Sequence, residues 1–175
     1  MGNSSTSSKP KTFQVIMVGL DSAGKTTLAY KIGAKEVGNC STSLISYYER
    51  FVWENLNILC LDLGGSTKTK QIWSHYFKDS NDGIIFVVDS KDEERMGLAK
   101  SELMWLLTQD DLKGLPLLLL ANKQDLQYAM SVAEVTEKLG LDEIVDRKWY
   151  VQGTSNKDEL SILNGINWLG KSWFS

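Results

Sequence analysis

Short apolar runs alternate along the chain with stretches whose apolar residues recur at helical spacing. The runs FQVIMVGL (13–20), NILCLDL (57–63), GIIFVVD (83–89), LPLLLLANK (115–123) and WYVQG (149–153) are nearly continuous, as in strands buried on both faces. Helical patterns fill 25–33, 68–78, 92–109, 131–139 and 158–169. SYYERFVWENLN (46–57) departs from this rhythm. Its polar turn Glu54-Asn55 predicts an antiparallel hairpin leading into the strand that ends at Asp62. The pattern predicts an α/β fold: a mainly parallel six-stranded sheet with one antiparallel edge strand and helices on both faces.

Residues 1–12, opening MGNSSTSSKPK, are polar and serine-rich and predict a flexible tail ahead of one domain over 13–175. That length supports a substantial core. A net charge of −3 implies no general attraction to nucleic acid. Cys40 and Cys60 lack CxxC spacing and secreted-scaffold density, so both read as packing residues in a reducing cytosolic compartment. No apolar run approaches the ~18 residues of a membrane span, and no signal-peptide core follows Met1.

Ligands of such sheets bind at the carboxyl ends of the strands, where the informative residues lie. The first strand runs into Gly19-Leu20-Asp21-Ser22-Ala23-Gly24-Lys25-Thr26, followed by Thr27, a full G-x-x-x-x-G-K-[ST] match. Glycines there let successive backbone N–H groups turn inward as an anion nest, completed by the start of the next helix. Lys25 would reach the β- and γ-phosphates and the Thr26 hydroxyl a magnesium ion.

This loop alone does not choose between ATP and GTP. Ala121-Asn122-Lys123-Gln124-Asp125 closes the fourth apolar run. An ionised Asp125 can accept both guanine N1–H and the 2-amino N–H, and adenine lacks those two donors. The stretch LDLGGSTKTK (61–70) then acquires a role. Asp62 can hold magnesium through a water, and the Gly65 N–H can bond a γ-phosphate that only the triphosphate carries.

With these motifs in order, the chain resembles the ADP-ribosylation-factor family of Arf and Arf-like small GTPases. The resemblance rests on VGLDSAGKTTL (18–28), DLGG (62–65), W-x-x-Y-F (73–77), IIFVVDS (84–90), ANKQDL (121–126) and W-Y-x-Q (149–152), and spans residues 13–169. It implies the P-loop small-GTPase fold and a monomeric GTP/GDP switch that uses Mg2+. It also implies exchange factors, effectors, and a membrane site of action in vesicle or membrane trafficking.

Several positions depart from the family pattern. Where the family carries a water-orienting glutamine after DxGG, this chain has Ser66, which is too short and has no amide. Phosphoryl transfer depends on positioning and charge stabilisation, so intrinsic hydrolysis is expected to be very slow. Ungapped counting puts Ser43 at the magnesium-binding threonine, within Thr42-Ser43-Leu44-Ile45. The hydroxyl is kept, but the flanking proline and glycine are lost. Effector-contacting aromatics become Ser46 and Leu61, while Tyr76 remains. At the guanine clamp, Thr154-Ser155-Asn156-Lys157 replaces Thr-Cys-Ala-Thr, and the backbone N–H that the family aims at guanine O6 can still be supplied by Asn156. His75, the single histidine, reads as a surface or packing residue, and Trp73, Trp105 and Trp168 suit core-facing helical positions.

Met1-Gly2-Asn3-Ser4-Ser5-Thr6 matches the myristoylation pattern M-G-x-x-x-[ST] at Gly2. Residues 3–12 lack the large apolar side chains of the family's amphipathic helix, and one acyl chain anchors only marginally. The expectation is a cytoplasmic protein, peripheral on Golgi or other endomembranes through the lipid. Two further readings stay open: a pseudo-GTPase adaptor that holds nucleotide mainly for structure and, more distantly, an ATP-dependent P-loop kinase, which Asp125 opposes.

Overall fold

The computed structural model describes residues 10–42, 46–63, 67–78 and 81–175; Gly2, Ser43, Gly65 and Ser66 lie outside them. The apolar runs form β1 (Phe13–Leu20), β4 (Leu56–Leu63), β5 (Gly83–Asp89), β6 (Leu117–Asn122) and β7 (Trp149–Gly153). Between them lie α1 (Lys25–Lys31), α2 (Thr67–Phe77), α3 (Met96–Leu107), α4 (Val132–Leu139) and α5 (Glu159–Ser172). The predicted hairpin is β3 (Ser46–Trp53) turning into β4, with Glu54 in the left-handed region at φ 50.

Among the described residues the sheet has seven strands in the order β2-β3-β4-β1-β5-β6-β7. The seventh, β2 (Lys35–Thr42), pairs antiparallel with β3, so the antiparallel edge is a two-strand ribbon rather than a single strand. KEVGNCST carries no apolar alternation, and its register shifts between Glu36 and Gly38. Its strand character comes from the β3 edge it pairs with and not from its own pattern.

Both faces of the central strands are covered, which explains their unbroken apolar composition. Ile16, Val18, Ile84, Phe86 and Leu119 meet Trp73 and Phe77 of α2, Leu103 of α3 and Val135 of α4 on one face. Val15, Met17, Ile85, Val87 and Leu118 meet Leu28 of α1 and Ile162 and Leu169 of α5 on the other. Leu103 is fully buried, and truncating such a leucine to alanine typically costs about 2–5 kcal/mol. Trp73 is buried, Trp105 and Trp168 pack against the two cores, and His75 is exposed, as their sequence contexts suggested.

Parallel register aligns the strand tips. Gly19 lies beside Asp62, Asp89 beside Asn122, and Ala121 beside Gly153. Motifs far apart in sequence therefore reach one edge of the sheet.

Candidate nucleotide-binding site

The glycine loop begins where β1 passes β5. A Cβ at Gly19 would collide with the Val87 carbonyl oxygen, so only glycine lets the strands approach this closely. Gly24, at φ 101, would drive a Cβ into the Asn122 amide. Gly24 also starts α1 without a side-chain cap, and no acid lies in the first turn. Among the described residues, neither a capping side chain nor a first-turn acid covers the helix's initial N–H groups.

The back of the loop is fastened by side chains from elsewhere. Asn122 Nδ2 donates to the Ala23 carbonyl at 2.9 Å, and Lys123 Nζ to the Ser22 carbonyl at 2.8 Å. Arg95 donates to the Asp21 carbonyl at 3.1 Å. With the Asp21 and Ala23 carbonyls held outward, the Ser22 and Gly24 amides face the other way, as an anion nest requires, while the Ala23 N–H donates to the Leu20 carbonyl at 3.3 Å.

On the phosphate side, Lys25 is buried and its ammonium is fully engaged. It lies 2.5 Å from Asp62 Oδ1 and donates to the Leu20 and Gly19 carbonyls at 2.8 and 3.1 Å. Thr26 donates its hydroxyl to Glu49 Oε2, from a buried carboxylate on β3. Glu49 was not among the sequence candidates. Its signal was an acid set among aromatics in YYERF, on a strand expected to face a core. Thr26, Asp62 and Glu49 present hard oxygen donors, which suit magnesium. Among the described residues no cluster of three or more His, Cys, Asp or Glu could hold a metal by itself. Magnesium in nucleotide sites needs no such cluster, since one or two protein oxygens and the substrate phosphates suffice. The donor set fits.

On the base side, Asp125 Oδ1 accepts the Ser155 hydroxyl at 3.0 Å, and Oδ2 lies 3.2 Å from Lys157 Nζ. The Ser155 hydrogen bond, followed by Lys157, holds the Asp125 carboxyl below the usual range and keeps it an acceptor. Thr154 Oγ1 donates to Asn122 Oδ1 at 3.1 Å, which orients the Asn122 amide towards Ala23. Lys123 pairs with Asp89 at 2.6 Å, and Gln124 is fixed by bonds to Ser90 and Met130. Asp89 was visible as an acid at a strand tip, but the partners of Asn122 and Lys123 were not. Thr27 and Asn156 are exposed at the margins.

The structure thus joins Gly19 to Thr26 with Asp62 on one side and with Asn122, Lys123, Asp125 and Ser155 on the other. Ser43, Gly65, Ser66 and Gly2 lie outside the described residues. Cys60, packed 3.8 Å from Met17 sulfur, has its thiol pushed up to about 12 by burial, against the pull of Lys25, and stays protonated. That matches a packing role.

An α/β sheet with a glycine loop between β1 and α1, and an N-K-x-D segment after β6, defines a P-loop nucleotide-binding protein of the small-GTPase type. The ADP-ribosylation factor (Arf) family model matches residues 3–173, and the chain belongs to that family. It is a GTP-binding small GTPase. No helix among the described residues is long and apolar enough to cross a membrane.

Proposed function

We propose that this chain is a GTP/GDP-controlled molecular switch of the Arf or Arf-like type, acting in vesicle or membrane trafficking, with very slow intrinsic GTP hydrolysis. The observation that carries the switch is the pairing of Lys25 with Asp62 and of Thr26 with Glu49. Phosphate and metal need the same lysine and hydroxyl, so a ligand must take them from these acids. Asp62 and Glu49 lie on β4 and β3, and changing their partners couples phosphate occupancy to the β3–β4 hairpin.

In this reading Gly19 to Thr27 wrap the phosphates, with Lys25 on the β- and γ-phosphates. Asn122, Lys123, Asp125, Ser155 and Asn156 hold the guanine end. Magnesium, when bound, neutralises charge on the phosphoryl oxygens. Thr26, Ser43 and Asp62 are its assigned holders, and Gly65 is the γ-phosphate sensor. Ser66 offers no amide to orient water, which supports slow turnover. Single-turnover hydrolysis should run at or below the intrinsic ~10⁻⁴ s⁻¹ scale of small GTPases. Ser66→Gln should raise the rate if the segment around Ser43 still orders about magnesium; fast turnover by the wild type would defeat this reading.

The same internal pairing also suits an adaptor that holds nucleotide mainly for structure. Exchange separates the two readings: a switch has a stable GDP form that trades its nucleotide for GTP, and a fixed adaptor does not. We assign a lipid to Gly2 and a peripheral endomembrane site to the protein. In liposome flotation, myristoylated protein should bind reversibly, while unlipidated protein should stay in solution with either nucleotide. GTP-dependent flotation of the unlipidated chain would overturn the assignment.

A further inference from the structure

Three consecutive carbonyls of the glycine loop are held by three side chains from other elements. Asn122, the last residue of β6, takes Ala23, and Lys123, the residue after it, takes Ser22. Arg95, which belongs to none of the sequence motifs, takes Asp21. It stands at the start of α3 and reaches the loop with its whole planar fork. One terminal nitrogen donates to Asp21 Oδ1 at 2.8 Å, the other to the Asp21 carbonyl at 3.1 Å, and Nε to Asp92 Oδ2 at 2.6 Å. Asp92 also accepts the Arg95 backbone N–H at 3.2 Å, so the arginine is itself anchored before it reaches across.

We propose that Arg95 is a positioning residue of the phosphate site: by gripping both the carboxylate and the carbonyl of Asp21, it holds the Asp21–Ser22 peptide with its N–H turned towards bound phosphate. The proposal rests on the reading of the glycine loop as the nucleotide site. A trans peptide is planar, with its C=O and following N–H pointing in opposite directions, so fixing the first fixes the second. Ser22 sits at φ 62, a conformation that side-chain-bearing residues rarely adopt and that needs support from outside the loop. The Asp21 carboxylate is also a like charge next to incoming phosphate. Arg95 pairs that charge at the edge of the site and draws it away. A lysine could not reproduce this, because one ammonium lacks the flat fork that serves two acids and a carbonyl together.

The Arg95 and Asp21 side chains are 36% and 71% exposed, so their ion pair contributes little to global stability. Its effect should instead appear in nucleotide binding. In the full chain, Arg95→Gln should weaken GDP affinity about tenfold, the size of one lost charge-assisted hydrogen bond. The 31P resonance of bound GDP β-phosphate should move, while the melting temperature of the nucleotide-free protein stays near wild type. Arg95→Lys should recover only part of the affinity, and Lys138→Gln, which breaks the neighbouring Lys138–Glu93 pair, should leave GDP binding unchanged. If Arg95→Gln fails to fold, Arg95→Lys carries the test through the same affinity and resonance. A folded variant that binds GDP within twofold of wild type, with an unmoved resonance, would overturn the role of Arg95 alone. Failure of the wild type to bind GDP would overturn the site itself, and this proposal with it.

Discussion

The two ends of the nucleotide site are built on opposite plans. At the base end, Ser155 and Lys157 donate to Asp125 and keep it ionised, with acceptor capacity left for a base. Asn122 and Lys123 brace the glycine loop through its Ala23 and Ser22 carbonyls. At the phosphate end, the groups a ligand would use are taken: Lys25 by Asp62, and the Thr26 hydroxyl by Glu49. The difference locates the conformational work. A base can dock into the first end with little rearrangement, whereas phosphate and magnesium must exchange partners at the second. Of the acids they displace, Glu49 sits on β3 in the ribbon at the sheet edge and Asp62 on the neighbouring strand β4.

The largest test of this contrast is Asp125→Ala. It removes the acceptor for two guanine donors, so the preference for GTP and GDP over ATP should collapse by up to about four orders of magnitude. Competition binding measures this, and equal ATP binding by the wild type would break the assignment of the base end. Next comes Glu49→Gln, which keeps the shape of the Thr26 contact but removes a negative charge beside the phosphates. It should favour GTP over GDP about tenfold relative to wild type. An unchanged ratio would mean that Glu49 does not oppose the triphosphate. Lys157→Ala should act more weakly, because its side chain is 76% exposed and such pairs contribute about 0–1 kcal/mol. A severalfold loss of GDP affinity is the ceiling.

The smallest expected effect is with pH. Asp125 has its pKa lowered, so it stays charged through the ordinary carboxylate range and loses its charge only at more acid pH. Guanine selectivity should therefore be flat from pH 8 to about 4 and fall below that. A drop near neutral pH would place another titrating group at the base end.

Much of this molecule is written in contiguous stretches. Gly19 to Thr26 declare a phosphate loop because the backbone geometry they need is local, and only glycine meets it at Gly24. The reading of Asp125 as a guanine acceptor rests on its spacing, because an acid there has few other uses after such a loop. The strands of the central sheet were equally legible, since burial on both faces demands unbroken apolar runs. By contrast, Glu49 is marked only as an acid among aromatics, which does not reveal its partner, and Arg95 carries no local mark of its role. An acid within a hairpin and an arginine before a helix are common, and what matters is which atoms they meet.

The chain by itself determined the fold class, the order of the central strands and the helices, and the phosphate-loop and N-K-x-D motifs, because each depends on short-range pattern or on motifs read in order. Tertiary structure alone decided that KEVGNCST is a strand, since its pairing energy comes from β3. It alone set Glu49 on Thr26, Asp62 on Lys25 and Arg95 on Asp21, through the register of β1 with β4 and the docking of α3 beside the loop. Those contacts join residues between 23 and 74 positions apart. A charge finds its partner at such a separation only after the sheet has closed and brought the strand tips together.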